Sequence, residues 1–371
     1  MTSTLNWCAG TRKVRGVSKY WSEAARQAAP YIPGDQPQGK VIKLNTNENP
    51  YPPSPKVLAA LRDEVGAQLR RYPDPTAAQV RTAAAELYSL SPEEVFVGNG
   101  SDEVLAFAFQ AFFHRDLPVR FPDITYSFYP VYAQLYQIPA EIVPVAADFS
   151  IDPEDYFHSP GGVILANPNA PTGLFMPVEA VAAVAAHNPS RVVVVDEAYV
   201  DFGGCSAAPL VREYPNLLVV QTLSKSRALA GLRVGLAFGS PELIAGLDRI
   251  KGSFNSYTVD RLAITAAEAA LRDEEYTRTV CAQIVQTRME FMHRLNELGF
   301  RGTDSKANFV FVTHPVVAAA DIYAELKERG IYVRYFPAPR TADYLRITIG
   351  TPAEMDTVAA ALAEIIKLYS A

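Results

Sequence analysis

The stretch Thr222-Leu223-Ser224-Lys225-Ser226-Arg227-Ala228-Leu229-Ala230-Gly231-Leu232-Arg233 decides how this chain is read. It follows the apolar run Leu217-Leu218-Val219-Val220, the pattern of a short strand buried on both faces. In open α/β sheets, ligand chemistry gathers just beyond the carboxyl ends of the strands. A lysine held there, out of bulk water, loses its proton more readily and attacks a carbonyl as a free amine. Ser224 and Arg233 add a hydroxyl and a fixed cation, a pair suited to a phosphate. Standing alone, Lys225 would be read as a surface-loop lysine.

It does not stand alone. Val192 to Val195 repeats the buried-strand pattern and ends in Asp196-Glu197-Ala198-Tyr199. An amine, a phosphate site and an acid together fit one cofactor, pyridoxal 5′-phosphate (PLP). Its pyridine nitrogen needs a carboxylate to stay protonated and withdraw electrons, and its phenolic oxygen needs a donor. Asp196 and Tyr199 suit those two places.

Further segments carry a resemblance. They are Leu44 to Pro50, Arg71 to Pro75, Gly98-Asn99-Gly100-Ser101-Asp102-Glu103, Asn167-Pro168-Asn169-Ala170-Pro171-Thr172-Gly173 and Tyr344 to Thr351. With the Asp196 and Lys225 segments, in this order, the chain resembles the fold-type I, aspartate-aminotransferase-like PLP enzymes over nearly its whole length. The resemblance implies an α/β transferase. A large domain would carry a mostly parallel mixed sheet flanked by helices, beside a small α+β domain. Expected bounds are 1–44 for an N-terminal arm covering the site, 45–265 for the large domain, and 266–371 for an interdomain helix and small domain.

The resemblance also implies roles. Lys225 anchors PLP and moves the proton in catalysis, with Asp196 and Tyr199 on the ring. Tyr126 stacks on the ring; Gly100, Ser101, Asp102, Ser224 and Arg233 surround the phosphate. Tyr72 reaches the phosphate of the neighbouring chain, so a homodimer with shared sites is expected. Arg346 and Arg334 bind the substrate's anionic end, with Tyr31 and Asn47 on the substrate side. One departure stands out: the family often has Asn directly before Pro-Thr-Gly, bonding the ring oxygen, and this chain has Ala170. Either Asn169 or Asn167 assumes that contact, or Tyr199 carries it alone. The implied reaction moves an amino group from histidinol phosphate to 2-oxoglutarate, giving glutamate, in histidine biosynthesis. Aromatic amino-acid aminotransferases share most of these motifs. A PLP-dependent decarboxylase of a phosphorylated amino acid is the remaining enzyme alternative.

Each residue has a plainer reading. Tyr31, Tyr72 and Tyr126 could be packing aromatics, and Asp102 a helix cap. Gly98-Asn99-Gly100-Ser101 lacks the third Gly of a dinucleotide loop and the Lys-Ser/Thr of a P-loop, which discounts nucleotide binding. Arginines in strands, as Arg334 and Arg346 are predicted to be, need pairing or exposure.

Bulk properties narrow the classes. At 371 residues the chain exceeds the usual single core, so two domains are expected. A net charge of −6 argues against a nucleic-acid surface. No apolar run approaches the roughly 18 residues of a membrane span. Cys8, Cys205 and Cys281 form no CxxC and the histidines no HxxxH, which points to the cytoplasm and away from a metal site. Residues 1–17 carry Arg12, Lys13 and Arg15 without a following apolar core, so they read as an upstream start or extension rather than a signal peptide. A regulator built on this domain would need an appended DNA-binding module, and none is expected before Asn45.

Along the chain, Pro30 to Gly34 and Asn45 to Pro55 read as extended arms. Helices are expected at Lys56 to Leu69, Asp102 to Phe113, Met176 to His187 and Pro241 to Lys251, then in a long run from beyond Tyr257 to about Leu298. Phe254-Asn255 falls where the family places a partner-chain contact. Asn308 to Val312, Ile331 to Arg334 and Tyr344 to Ile349 alternate as strands.

Overall fold

The computed structural model describes residues 18–32 and 34–369. The reading of residues 1–17 as a start or extension lies outside them. Strands run in chain order as β1 (Ile42–Lys43), β2 (Val95–Gly98), β3 (Val119–Pro122), β4 (Ala140–Val143) and β5 (Val163–Ala166). There follow β6 (Val193–Asp196), β7 (Leu217–Thr222), β8 (Gly235–Gly239) and β9 (Arg301–Gly302). The last four are β10 (Phe309–Thr313), β11 (Ile331–Tyr332), β12 (Arg334–Tyr335) and β13 (Leu345–Thr348).

Seven strands form one sheet in the order β2-β8-β7-β6-β5-β3-β4. Strands β3 to β7 pair in parallel, and β8 runs antiparallel between β7 and β2. Alternate residues enter different cores. Val163, Leu165, Val193 and Val195 pack on one face, and Ile164, Ala166 and Val194 on the other. Burial on both faces explains why these strands read as continuous apolar runs. Sheet register then gathers the site. Ala166 pairs with Asp196, Asp196 with Val220, and Gly235 with both Thr222 and Gly98. The ends of β2, β5, β6 and β7 and the start of β8 therefore lie side by side along one edge, the place such sheets bind ligands.

A second, antiparallel sheet has the order β12-β13-β10-β9 and its own core, which includes Val310, Val312, Ile347, Leu362 and Phe291. The expected boundary at 265/266 falls inside the helix Arg261–Arg272, whose buried face packs wholly in the first core. The expected single helical run to Leu298 is two helices, Arg261–Arg272 and Glu274–Glu297. They break at Asp273, whose carboxylate is held by Ser54 and Lys56. Ile331 to Arg334 is likewise not one strand. Ile331–Tyr332 pairs with β1, whereas Arg334–Tyr335 pairs with β13 in the small sheet. The helix expected over Lys56 to Leu69 is Pro55–Glu64 followed by a 3-10 turn at Ala67–Arg70, with Gly66 at the break. Among the described residues no helix is long and apolar enough to cross a membrane.

Candidate active site

The sheet edge and the small domain enclose a cavity of about 230 Å³. Lys225 enters it three residues beyond the end of β7. Burial pushes its ammonium down to about 8, helped by the positive charges of Arg346 and Arg233. Its Nζ donates to the Thr46 carbonyl at 2.9 Å. Asn49 holds the backbone on which Lys225 stands, donating to the Lys225 and Ser226 carbonyls. An amine that ionises near neutrality can act as a nucleophile or a base.

Asp196 ends β6 with only 5% of its surface exposed. It accepts from the Tyr129 hydroxyl at 3.1 Å and from the Ala198 amide at 3.2 Å. Burial nevertheless pushes its carboxyl up to about 7. A carboxylate in that position lacks a cation and would be stabilised by one. Tyr199 lines the cavity three residues on. Its hydroxyl accepts from Asn47 Nδ2 at 2.9 Å, and burial raises its pKa while Arg346 and Asn47 oppose the rise.

The helix Gly100–Phe112 starts at the cavity, where its free amides and dipole favour an anion. Ser101 and Asp102 line the cavity, as do Ser224 and Arg233. Arg233 Nη2 donates to Asp102 Oδ2 at 3.0 Å, and Nη1 reaches Ser224 Oγ at 3.4 Å. Gly100 lies against this guanidinium with φ +78°, and a Cβ there would sit 2.5 Å from Arg233 Nη2. Its role is thus to leave room, not to line the wall. Tyr126 donates to Asp102 Oδ1 at 2.8 Å.

On the opposite wall, Arg346 and Arg334 are directly cross-paired on β13 and β12. Arg346 donates to the Asn45 carbonyl at 3.1 Å, yet its buried Nε has no partner. Arg334 donates to the Ile32 carbonyl at 3.4 Å. Among the described residues neither guanidinium has a carboxylate partner. Tyr31 closes over the cavity with its ring stacked on Phe128 at 4.5 Å.

Two expectations change, those for Asn169 and Asn47. Asn169 was expected on the cofactor, but its side chain closes its own loop. Its Oδ1 accepts from Thr125 Oγ1, and its Nδ2 donates to Ile124 O and Thr172 Oγ1. Asn167 is equally consumed by both backbone groups of Met176. Neither faces the cavity, whose wall there is Ala166, Pro168 and Ala170. Asn47 was expected on the substrate. It lines the cavity, but its Nδ2 goes to Tyr199 and its Oδ1 accepts from Thr348 Oγ1 at 3.0 Å. Its main-chain groups bond Thr348 and Asn308, so it holds other residues in place. Tyr72 does not line the cavity of its own chain. It is 77% exposed and stacks on Tyr257 at 4.5 Å.

Sequence reasoning missed Tyr129, Thr46 and Asn49. Tyr129 looks like one more core aromatic, and only the fold aims its hydroxyl at Asp196. Thr46 contributes a carbonyl, which no residue type announces.

These groups fit PLP. The buried Asp196 suits a protonated ring nitrogen, the Gly100–Ser101 helix start with Ser224 and Arg233 suits a phosphate, and Lys225 supplies the amine. Comparisons with known proteins agree. The family model for aminotransferase class I and II matches residues 39–362. A protein of Burkholderia lata named histidinol-phosphate aminotransferase 2 is 54% identical over 354 residues, 94% of this chain and 100% of that one. A histidinol-phosphate aminotransferase of Clostridium botulinum is 50% identical over 92% of this chain and 96% of its own. Among solved structures, histidinol-phosphate aminotransferase from Sinorhizobium meliloti in complex with pyridoxal-5′-phosphate superposes with a TM-score of 0.85. It is 27% identical, and the match covers 95% of this chain and 99% of that one. The chain belongs to the class I and II aminotransferases, the PLP-dependent transaminases of this fold.

Proposed function

We propose that the chain transfers the amino group of histidinol phosphate to 2-oxoglutarate, in histidine biosynthesis and in the cytoplasm. The observation that carries this reading is the Arg334–Arg346 pair. Two adjacent guanidinium groups, without a carboxylate partner among the described residues, line the cavity of a chain 54% identical to a protein named for that substrate. A phosphate dianion offers both arginines paired acceptors, and a dicarboxylate acceptor can use the same pair in turn.

Bound PLP supplies an electrophilic carbonyl carbon and an electron sink. The chain's own residues do the rest. Asp196 holds the proton at the ring nitrogen. Lys225 Nζ would hold the cofactor at its carbonyl carbon and, as a free amine, would carry a proton away from the donor's Cα. Its lowered pKa leaves a useful fraction as free base at neutral pH. Ser101, Ser224, Arg233 and the helix start hold the phosphate, with Gly100 making room and Asp102 aligning Arg233 and Tyr126. Tyr199, steadied by Asn47, would donate to the ring's phenolic oxygen, Tyr126 would stack on the ring, and Tyr31 would close over the substrate. Tyr72, exposed and stacked on Tyr257, serves the neighbouring chain's cavity in a homodimer. We also propose a large domain ending at Asp273 rather than at 265, supported by the packing of Arg261–Arg272.

A side-by-side assay tests the substrate. Histidinol phosphate should exceed histidinol and phenylalanine in kcat/KM by orders of magnitude, because leaving the half-buried arginine pair without an anion is costly. An aromatic amino acid that outruns histidinol phosphate replaces the reading with an aromatic aminotransferase.

A further inference from the structure

The arginine pair poses a physical problem. Arg334 and Arg346 sit opposite each other on neighbouring strands, and Arg334 disfavours the charge of Arg346. Arg346 is further penalised by burial. Among the described residues no acid pairs with them, and besides the Asn45 and Ile32 carbonyls they reach, one aromatic ring faces both. Phe336 presents its ring to both: Arg334 Cζ lies 5.3 Å and Arg346 Cζ 5.4 Å from its centroid. Phe309 covers Arg346 as well, at 5.3 Å. The face of an aromatic ring carries negative charge and attracts a cation within about 6 Å.

We propose that Phe336 is a positioning residue for the substrate's anion, bracketing the two arginines and fixing the gap between them. The inference rests on the reading of Arg334 and Arg346 as the anion site. Phe336 belongs to neither the catalytic group nor the cavity wall. Its ring is anchored on the other side by packing against the cluster of Ile124, Val145, Phe149 and Phe311. These residues come from both the large and the small domain, so the bracket is seated on the join. Without the ring, the half-buried Arg334 is free to swing to water, away from Arg346, and the paired geometry is lost. Phe309 and the Asn45 carbonyl still hold Arg346. The prediction is therefore selective: affinity for anions that need both guanidinium groups falls, and attachment of PLP does not.

The test is a binding titration on the PLP-loaded enzyme, reading cofactor absorbance as inorganic phosphate or succinate is added. Phe336→Leu should weaken both anions about tenfold, the scale of a lost desolvated cation–ring contact. Phe336→Tyr, which keeps the ring, should stay within about twofold of the native chain. Phe336→Met replaces the leucine variant if that one fails to fold. In turnover, the same loss should appear in KM for the phosphorylated donor with kcat little changed, while KM for histidinol stays put. The bracket is overturned if the non-aromatic variant binds anions like the native chain, or if Phe336→Tyr is as damaged as Phe336→Leu. It is also overturned if PLP retention falls in parallel, which would mark a general packing role. The phosphate and succinate titrations need no particular donor. A failure of histidinol phosphate as substrate would thus overturn the functional reading and leave the bracket result standing.

Discussion

Replacing Asp196 by asparagine should stabilise the cofactor-free protein and cripple the loaded one. Burial carries the Asp196 carboxyl from its ordinary 3.8 to about 7. At about 1.36 kcal/mol per pH unit, its ionised form costs the cofactor-free fold about 4 kcal/mol, an upper figure. The sign follows from the direction. A carboxyl whose pKa is raised by folding binds its proton more tightly when native. Its full contribution is present below about 4, is lost as pH rises, and is gone above about 7. Asparagine has no such titration, and its carbonyl can still accept from the Tyr129 hydroxyl. The gain of Asp196→Asn over the native chain should therefore grow from about 2 kcal/mol at pH 5.5 to about 4 kcal/mol at pH 8. Glu197, also raised by burial to about 7, is present in both proteins, so its own titration largely cancels. Urea unfolding of the two cofactor-free proteins at both pH values reads the difference. With PLP bound the order should reverse. The ring cation satisfies the native carboxylate, and the variant should bind PLP more weakly and turn over about 10²–10³-fold more slowly, the scale of losing one preorganised charge contact. A cofactor-free variant less stable than the native chain at pH 8, or a gain that does not change with pH, would refute the assignment of Asp196.

Lys225→Ala should abolish transamination while leaving the chain folded; measurable native-like turnover would remove Lys225 from the chemistry. In the cofactor-free protein, acylation of Lys225 followed by peptide mass spectrometry should rise through a midpoint near pH 8, since burial lowers the ammonium pKa; a midpoint above 10 would contradict that environment. Mixing Tyr72→Phe chains with Lys225→Ala chains should yield hybrid dimers with one intact site, and activity from a monomer in sedimentation would exclude the shared site. Arg334→Ala should reduce the preference for histidinol phosphate over histidinol by about tenfold or more, the cost of one charge-assisted contact, without lowering PLP retention.

The parts of this protein legible in its sequence are those that obey local rules. Buried strands announce themselves as apolar runs, so Asp196 and Lys225 could be placed at strand ends before any coordinates were known. The helix Gly100–Phe112 is signalled by glycine and an acidic first turn. The failures share a physical origin. Val333 joins two apolar-alternating pieces, and nothing local shows that Ile331–Tyr332 and Arg334–Tyr335 pair with different partners. The break at Asp273 depends on Ser54 and Lys56, more than two hundred residues away in the chain. Asn47 and Asn169 both read as polar groups available to a ligand. Which polar group a buried amide satisfies is a tertiary fact, and here both side chains are spent inside the protein.

Asn47 also explains how the site can be built from pieces so distant in sequence. It lies in the left-handed region at φ 57°, which asparagine tolerates better than most residues. It is 1% exposed. That conformation turns its main-chain groups toward Thr348 and Asn308 of the small domain, while its side chain spans Thr348 and Tyr199. Thr348 is two residues beyond Arg346 on β13, so the strand that bears the anion-binding guanidinium is tied through one amide to a tyrosine of the large domain. The charges left unbalanced around this tie are complementary to what must arrive. Among the described residues Asp196 has no cation partner and Arg346 and Arg334 no carboxylate partner, and burial lowers the Lys225 ammonium to about 8. Each is an unfavourable arrangement in the protein alone, and each becomes favourable only when ring, phosphate and substrate are in place. Local rules are broken where the chemistry is, and the fold around Asn47 supplies the rigidity that keeps them broken.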